Sequence, residues 1–355
     1  MIRLAVTCSL VLATPTAGLA ATVAPSTAPK AGEPIKRTMH IRLTKSVATI
    51  PITRVKGAIL LPAIIAGKQV KLLFDNGSDA SVIDATLARA SGMELTESRI
   101  GLQTGLSVMP TKLTHASLSI GEGLTVEGQF VAADLGAMSK ALGAPVAGVL
   151  GADALKAFIV IVNPSKGWIA LGVPGRVETK AFMKTDSKPA SAQEAEALLP
   201  KLAPKSIPFG PGFVVKATVN GKPVNLKIDY GSTGTVVLRE PVWQQVIPPA
   251  SRTGKATNST RADGLNTGGE IGTGDFEIAG MVVPSMRIAS RGGLDRLKDD
   301  GLLGLAVLGA TTTVLDMPKQ RLVLFPQSAD VSLSAPVKPS MDTTKPAEDA
   351  PTPGG

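Results

Sequence analysis

The stretch "KLLFDNGSDASVID", Lys71 to Asp84, opens as a strand and breaks off at a carboxylate. Leu72, Leu73 and Phe74 run into Asp75, and Gly77 follows two residues later. A glycine there lets the backbone turn sharply just after the acid. On its own, such an aspartate reads as an Asx turn closing a strand. A second copy changes that reading. "NLKIDYGSTGTVVL", Asn225 to Leu238, repeats the plan, with Asp229 lying 154 residues beyond Asp75.

The repeat continues downstream. "GVLGADALKAFIVIVNPSKGWIAL", from Gly148, is answered by "GLLGLAVLGATTTVLDMPKQRLVL", from Gly301, at an offset of 153. Matched offsets at separated motifs point to tandem duplication of one structural unit. Each unit starts with a hairpin, turning at Gly67-Lys68 in the first and at Asn220-Gly221 in the second. Each closes with a Gly-x-Leu-Gly bend, a short helix and a final hairpin. The expected fold is all-β, with one short helix per unit.

Punctuation by composition sets the domain boundaries. Residues 1–20 read as a secretory signal: Arg3 is the positive start, Leu4 to Ala13 the short apolar run, and Gly18-Leu19-Ala20 the cleavage site. Residues 21–37 read as a flexible leader, 176–205 as a charged, Pro-containing linker with a short helix around 192–199, and 329–355 as a disordered tail. The two compact units span 38–175 and 206–328. The apolar run of the signal is too short to span a bilayer, so no stable membrane span is expected after cleavage. The implied location is periplasmic or secreted.

Composition excludes several chemistries. The chain has 355 residues, of which 3% are aromatic, so the core rests on Val, Leu, Ile and Ala. Cys8, the only cysteine, lies in the signal, which excludes thiol nucleophiles, cysteine metal sites and disulfides in the mature chain. A formal charge of +9 is spread along a sequence with almost no stacking residues, which argues against nucleic-acid binding. His40 and His115, the only histidines, are not spaced as metal ligands. No metal and no cofactor are expected.

The duplicated motifs resemble those of the retropepsin-like and pepsin-like aspartic proteases, in a single-chain bacterial form with two lobes. The resemblance rests on "LLFDNGSDASVI" with "GVLGADAL", and on "LKIDYGSTGTVV" with "GLLGLAVL". It implies two tandem acid-protease β-barrel lobes related by a pseudo-two-fold axis, with Asp75 and Asp229 meeting at the centre as the catalytic pair. Asn76, Gly77, Ser78, Tyr230, Gly231 and Ser232 would shape the turns and supply supporting hydrogen bonds, the serines to the carboxylates. The implied activity is an aspartic endopeptidase acting on peptide or protein substrates as a monomer. The alternatives are a weakly active or inactive peptide-binding relative and an envelope scaffold.

One departure from the family pattern stands out. The position after each catalytic aspartate takes Thr or Ser in the family, whose hydroxyl braces the opposite lobe. Here Asn76 and Tyr230 occupy it. Asn76 can both donate and accept. Tyr230 is too long for the same brace, and its ring is expected to tilt toward the cleft or the other lobe. "GLQTGLSVMP" from Gly101 and "DGLNTGGEIGTG" from Asp263 are candidate hairpins over the site.

Overall fold

A computed structural model describes residues 2–9, 36–104, 107–183, 204–260, 266–294, 298–325 and 329–334. It is predominantly β, and the same core recurs in both halves. In the first half, the buried run Leu72 to Phe74 ends strand Lys68–Phe74. That strand pairs in parallel with Gly148–Leu150, which pairs antiparallel with Val82–Asp84 on its other side. In the second half, Lys222–Asp229 pairs in parallel with Gly301–Gly304, which pairs antiparallel with Val236–Arg239. The strands entering and leaving each aspartate turn are therefore both bonded to one strand between them. The turn has to arch over the end of that middle strand.

The two Gly-x-Leu-Gly elements, Gly148 to Gly151 and Gly301 to Gly304, make the arch possible. A Cβ on Gly151 would lie 2.6 Å from the Ala80 carbonyl, and one on Gly304 only 2.3 Å from the Gly234 oxygen. With no side chain in the way, the turns seat directly on the bends. The Ala152 amide donates to the Ser78 carbonyl at 2.8 Å, and the Leu305 amide to the Ser232 carbonyl at 2.7 Å.

A six-stranded sheet joins the halves beneath these cores. Its order is Lys205–Pro208, Arg321–Phe325, Thr312–Asp316, Ile159–Asn163, Trp168–Gly172 and Val47–Pro51, three strands from each half. The central pair is antiparallel, with Ile159 opposite Asp316 and Val162 opposite Thr313. Every residue of Ile159–Asn163 is buried, as a central strand covered on both faces requires. Asn163 donates across the join to the Thr312 hydroxyl at 2.9 Å.

Several expectations need correction. The first hairpin turns at Ala66-Gly67, one residue earlier than expected, with φ of 48° and 75°; Asn220-Gly221 adopts the same pair, 50° and 75°. Ala66 thus takes the left-handed position that Asn fills in the other copy. Helix is more abundant than one piece per unit: Ala85–Ala90, Gly136–Leu142 and Ala152–Leu155 in the first, Glu240–Val246 and Leu305–Leu308 in the second. The segments read as linker and tail are partly strands, since Glu178–Met183 pairs with Ala329–Ser334. Val177 and Val331 pack there against Ile161, Val314 and Phe325, covering the outer face of the joining sheet. That apolar face has to be covered, and among the described residues these flanking strands lie over it. Ile2–Ser9, read as part of the signal, lies as an outer strand along Lys36–Leu43. The helix expected around 192–199 falls outside the described residues.

Asp153 is the largest divergence between the two closing helices, since Ala306 stands in the second copy. Its carboxylate is buried and accepts from the Ser81 amide at 2.9 Å and the Ser81 hydroxyl at 2.6 Å. The Asp75 turn is thereby tied to the helix below it. Asp153→Ala leaves both donors unpaired in the interior, and a loss of about 2–4 kcal/mol is expected. Denaturant unfolding of the variant against the parent chain measures it.

Candidate active site

Asp75 and Asp229 sit in matched nests of backbone donors. Asp75 Oδ1 accepts from the amides of Gly77 at 2.8 Å and Ser78 at 3.2 Å. Asp229 Oδ1 accepts from Gly231 at 2.9 Å and Ser232 at 3.1 Å. The two carboxyl groups meet across the join: one point, the position a Cβ on Gly77 would take, lies 2.5 Å from Asp229 Oδ1 and 3.0 Å from Asp75 Oδ1. Each turn also lies against the opposite carboxyl: a Cβ on Gly77 would stand 2.5 Å from Asp229 Oδ1, and one on Gly231 2.4 Å from Asp75 Cγ. Glycine is needed at both positions for this approach, not for an unusual φ.

Burial raises the pKa of both acids above the ordinary carboxylate value of 3.8. For Asp75, burial and then the neighbouring Asp229 push it to about 7, against the pull of the backbone donors and Lys227. Two carboxyls in contact cannot both ionise cheaply, so one proton is held between them.

The serine side chains do not hold the carboxylates. The Ser78 hydroxyl donates to the Ala80 carbonyl at 2.8 Å, and the contacts to the acids come from the Ser78 and Ser232 amides. The turn is too tight for the hydroxyl to add anything the amide does not already supply.

The brace between lobes is carried by one side only. Asn76, fully buried, donates through Nδ2 to the Ile228 carbonyl at 2.9 Å and accepts the Tyr230 amide at Oδ1, also 2.9 Å. Both bonds flank Asp229. Tyr230 does not tilt into the cleft. It is fully buried, its ring 5.4 Å from that of Phe74 in the other lobe, and its hydroxyl bonds to Thr313 in the joining sheet. A long side chain in the brace position runs past the opposite turn and anchors in the sheet beneath. Burial keeps this phenol neutral.

Lys227 was not foreseen as a site residue. The repeat offset aligns it with Leu73, so a cation replaces an apolar residue two positions before the aspartate. That mismatch with Leu73 is the sequence signal by which it could have been found. Its side chain is 14% exposed and its ammonium reaches the Gly77 carbonyl at 2.8 Å, with Asp79 at 4.0 Å. This places a positive charge beside the pair, opposing the effect of burial.

The pair lines a cleft of about 730 Å³ between the halves, within the usual range for a ligand site. Two hairpins border it. Thr96–Thr104 with Ser107–Ile120 contributes Leu102; Arg252–Thr260 with Asn266–Ile278 contributes Thr257, Thr267 and Ile271. The tips at 105–106 and 261–265 fall outside the described residues.

Residues 61–154, around the first aspartate, match the family model described as aspartyl protease. The fold is similar to that of the aspartic proteinase from Irpex lacteus, at 12% identity and a TM-score of 0.50, covering 79% of this chain and 97% of that one. No curated protein matches the sequence. The match to the aspartyl protease model covers the first aspartate motif and its surroundings, and the fold is that of a two-lobed aspartic proteinase. At that identity the likeness to the fungal enzyme concerns the two-lobed architecture alone.

Other features singled out in the sequence lie elsewhere in this aspartic protease fold. His40 and His115 are exposed on strands. Asp316 accepts the Lys319 amide in a turn. Among the described residues, no group of three His, Cys, Asp or Glu is placed to hold a metal.

The raised pKa of Asp75 has a consequence for stability. A carboxyl whose folded pKa exceeds its unfolded value stabilises most below the unfolded value, and that contribution is lost as pH rises through the folded one. The protein is expected to weaken between about pH 4 and about pH 7. Asp75→Asn should flatten this slope and melt at an equal or higher temperature than the parent at neutral pH. Thermal denaturation across that range checks it; an unchanged slope counts against the shared proton.

Proposed function

We propose that this chain is an aspartic endopeptidase in which Asp75 and Asp229 act together as general base and general acid. The observation that carries the reading is the pair of carboxyls brought together at the floor of a hairpin-bordered cleft. With one proton on the pair, the ionised carboxyl takes a proton from water as that water attacks the peptide carbonyl. The protonated carboxyl gives its proton to the carbonyl oxygen. The resulting gem-diol collapses as a proton passes to the amide nitrogen, and the C–N bond breaks. Water is consumed, both carboxyls return to their starting state, and no covalent intermediate forms.

Both acids come from one chain, so a monomer completes the site. The two lobes at 38–175 and 206–328 would face each other across the cleft, and the signal-like N-terminus supports action in the periplasm or outside the cell. Among the described residues, no helix is long and apolar enough to cross a membrane. The one-sided brace favours a second reading, a peptide-binding relative of low activity. Asn76 supplies both brace bonds to the Asp229 side, while Tyr230 is committed to the sheet beneath.

Hydrolysis of a mixed peptide library by the mature protein should peak at acidic pH. Asp229→Asn should lower the rate by about 10²–10⁴-fold at every pH, because an amide cannot exchange the proton. Lys227→Met carries a second, signed expectation. Loss of the cation raises both apparent pKa values of the pair, so the bell-shaped rate profile moves to higher pH. Hydrolysis that peaks in alkali and survives in Asp229→Asn would assign the chemistry to another group.

A further inference from the structure

The two walls of the cleft differ in chemistry. Against the first-lobe side lies an apolar cluster that includes Leu60, Leu73, Val82, Leu135 and Val149, with Met138 and Leu142 packed on it. Leu73, Leu135, Met138 and Leu142 line the cleft directly. Among the described residues, the corresponding cluster in the second lobe holds Val237, Leu294 and Leu302.

The divergence begins at equivalent strands. In the first lobe, Val131 pairs in parallel with Val82, and the chain runs on through Leu135 into helix Gly136–Leu142. Asp84 fixes this rim: its Oδ1 accepts the Leu87 amide and its Oδ2 the Leu135 amide at 3.0 Å. In the second lobe, Ile288 pairs in parallel with Val236, and the chain runs through Arg291 into Gly292-Gly293. Among the described residues, no helix follows there. Beside Val237, Ile271 and Leu294, the wall presents Thr235, Thr267, Ser290, Arg287 and Arg291.

Charge sharpens the contrast. Apart from the Asp75–Asp229 pair, no described residue lining the cleft is acidic, whereas Lys56, Arg287 and Arg291 are all basic. Lys56 lies on the first-lobe side, its ammonium donating to the Ala141 carbonyl at 2.7 Å. Arg291 is half-buried and donates to the Thr267 hydroxyl at 3.2 Å. Arg287 is exposed to the cleft, and none of the ion pairs among the described residues involves it. A guanidinium in a concave polar wall favours a carboxylate, which it can meet with two parallel hydrogen bonds.

We infer that the cleft selects peptides with a bulky apolar side chain on one side of the bound segment's centre and an acidic side chain on the other, the acid being met by Arg287. This rests on the peptide-cleft reading above, but binding tests it without requiring hydrolysis.

The experiment uses the full chain carrying Asp229→Asn, with synthetic octapeptides differing only by Glu or Gln at one position, placed on either side of a central Leu. Affinity is measured by calorimetry at low salt and near pH 5.5, where a peptide Glu is largely ionised. The Glu peptide of one orientation should bind about three- to tenfold tighter than its Gln twin, and added salt should narrow the gap. Arg287→Glu should reverse the preference in favour of a Lys peptide, and Arg287→Lys should retain part of it. Equal binding of the Glu and Gln peptides, absence of binding by all of them, or a Glu preference that survives Arg287→Glu would overturn the inference. Hydrolysis of the same peptides by the parent chain is scored separately. A Glu preference in binding with no cleavage would sink the proteolytic reading while leaving this one standing.

Discussion

Two carboxyl groups brought together at the half-buried floor of a cleft are the constraint around which the rest of the molecule is arranged. Burying one acid is costly, and burying two side by side is costlier. The structure offsets this with four backbone amides, two on each acid, and with a proton kept between them. None of these donors is reachable unless the chain arches over the middle strand of each lobe. The arch in turn depends on Gly151 and Gly304 underneath and on Gly77 and Gly231 alongside. The joining sheet completes the arrangement. By pairing Ile159–Asn163 with Thr312–Asp316 it fixes the distance between the two turns.

Duplication supplied the symmetry, and divergence at a few positions gave the two halves separate work. Asn76 braces while Tyr230 anchors, so the join is held on two levels: one at the acids and one in the sheet below. Leu73 lines the cleft in one lobe, whereas Lys227 in the other places a cation next to the acids. Asp153 clamps the first turn to its helix, whereas Ala306 leaves the second turn to backbone bonds alone. Each change is local, and none disturbs the strand pairings that the two lobes share.

The same divergence shapes the cleft. One lobe spends its sequence on an apolar layer and a short helix at the rim, and the other ends the equivalent strand in arginine and glycine. The helix owes its place to Asp84, which caps one helix and orients the approach to the next through its two oxygens. A groove with one greasy wall and one cationic wall orients an extended chain by solvation as well as by shape.

Much of this was legible in the sequence because the information was local and repeated. An apolar run ending in Asp-x-Gly-Ser, followed at nearly the same distance by Gly-x-Leu-Gly, determines a strand, a turn and a bend, and two copies at offsets of 154 and 153 determine two lobes with paired acids. The family resemblance drew on those same residues. What the sequence left open depended on contacts between distant segments. That Glu178–Met183 and Ala329–Ser334 are strands follows from the apolar outer face of the joining sheet, which exists only once the lobes have met. The path of Tyr230 was set by the position of Thr313, 83 residues away. The influence of Lys227 on the acids came from the Gly77 carbonyl, 150 residues away in the other lobe. Local pattern determined the elements and the acids they carry; the packing of one lobe against the other decided their electrostatic surroundings, because burial and charge at the join are properties of both lobes together.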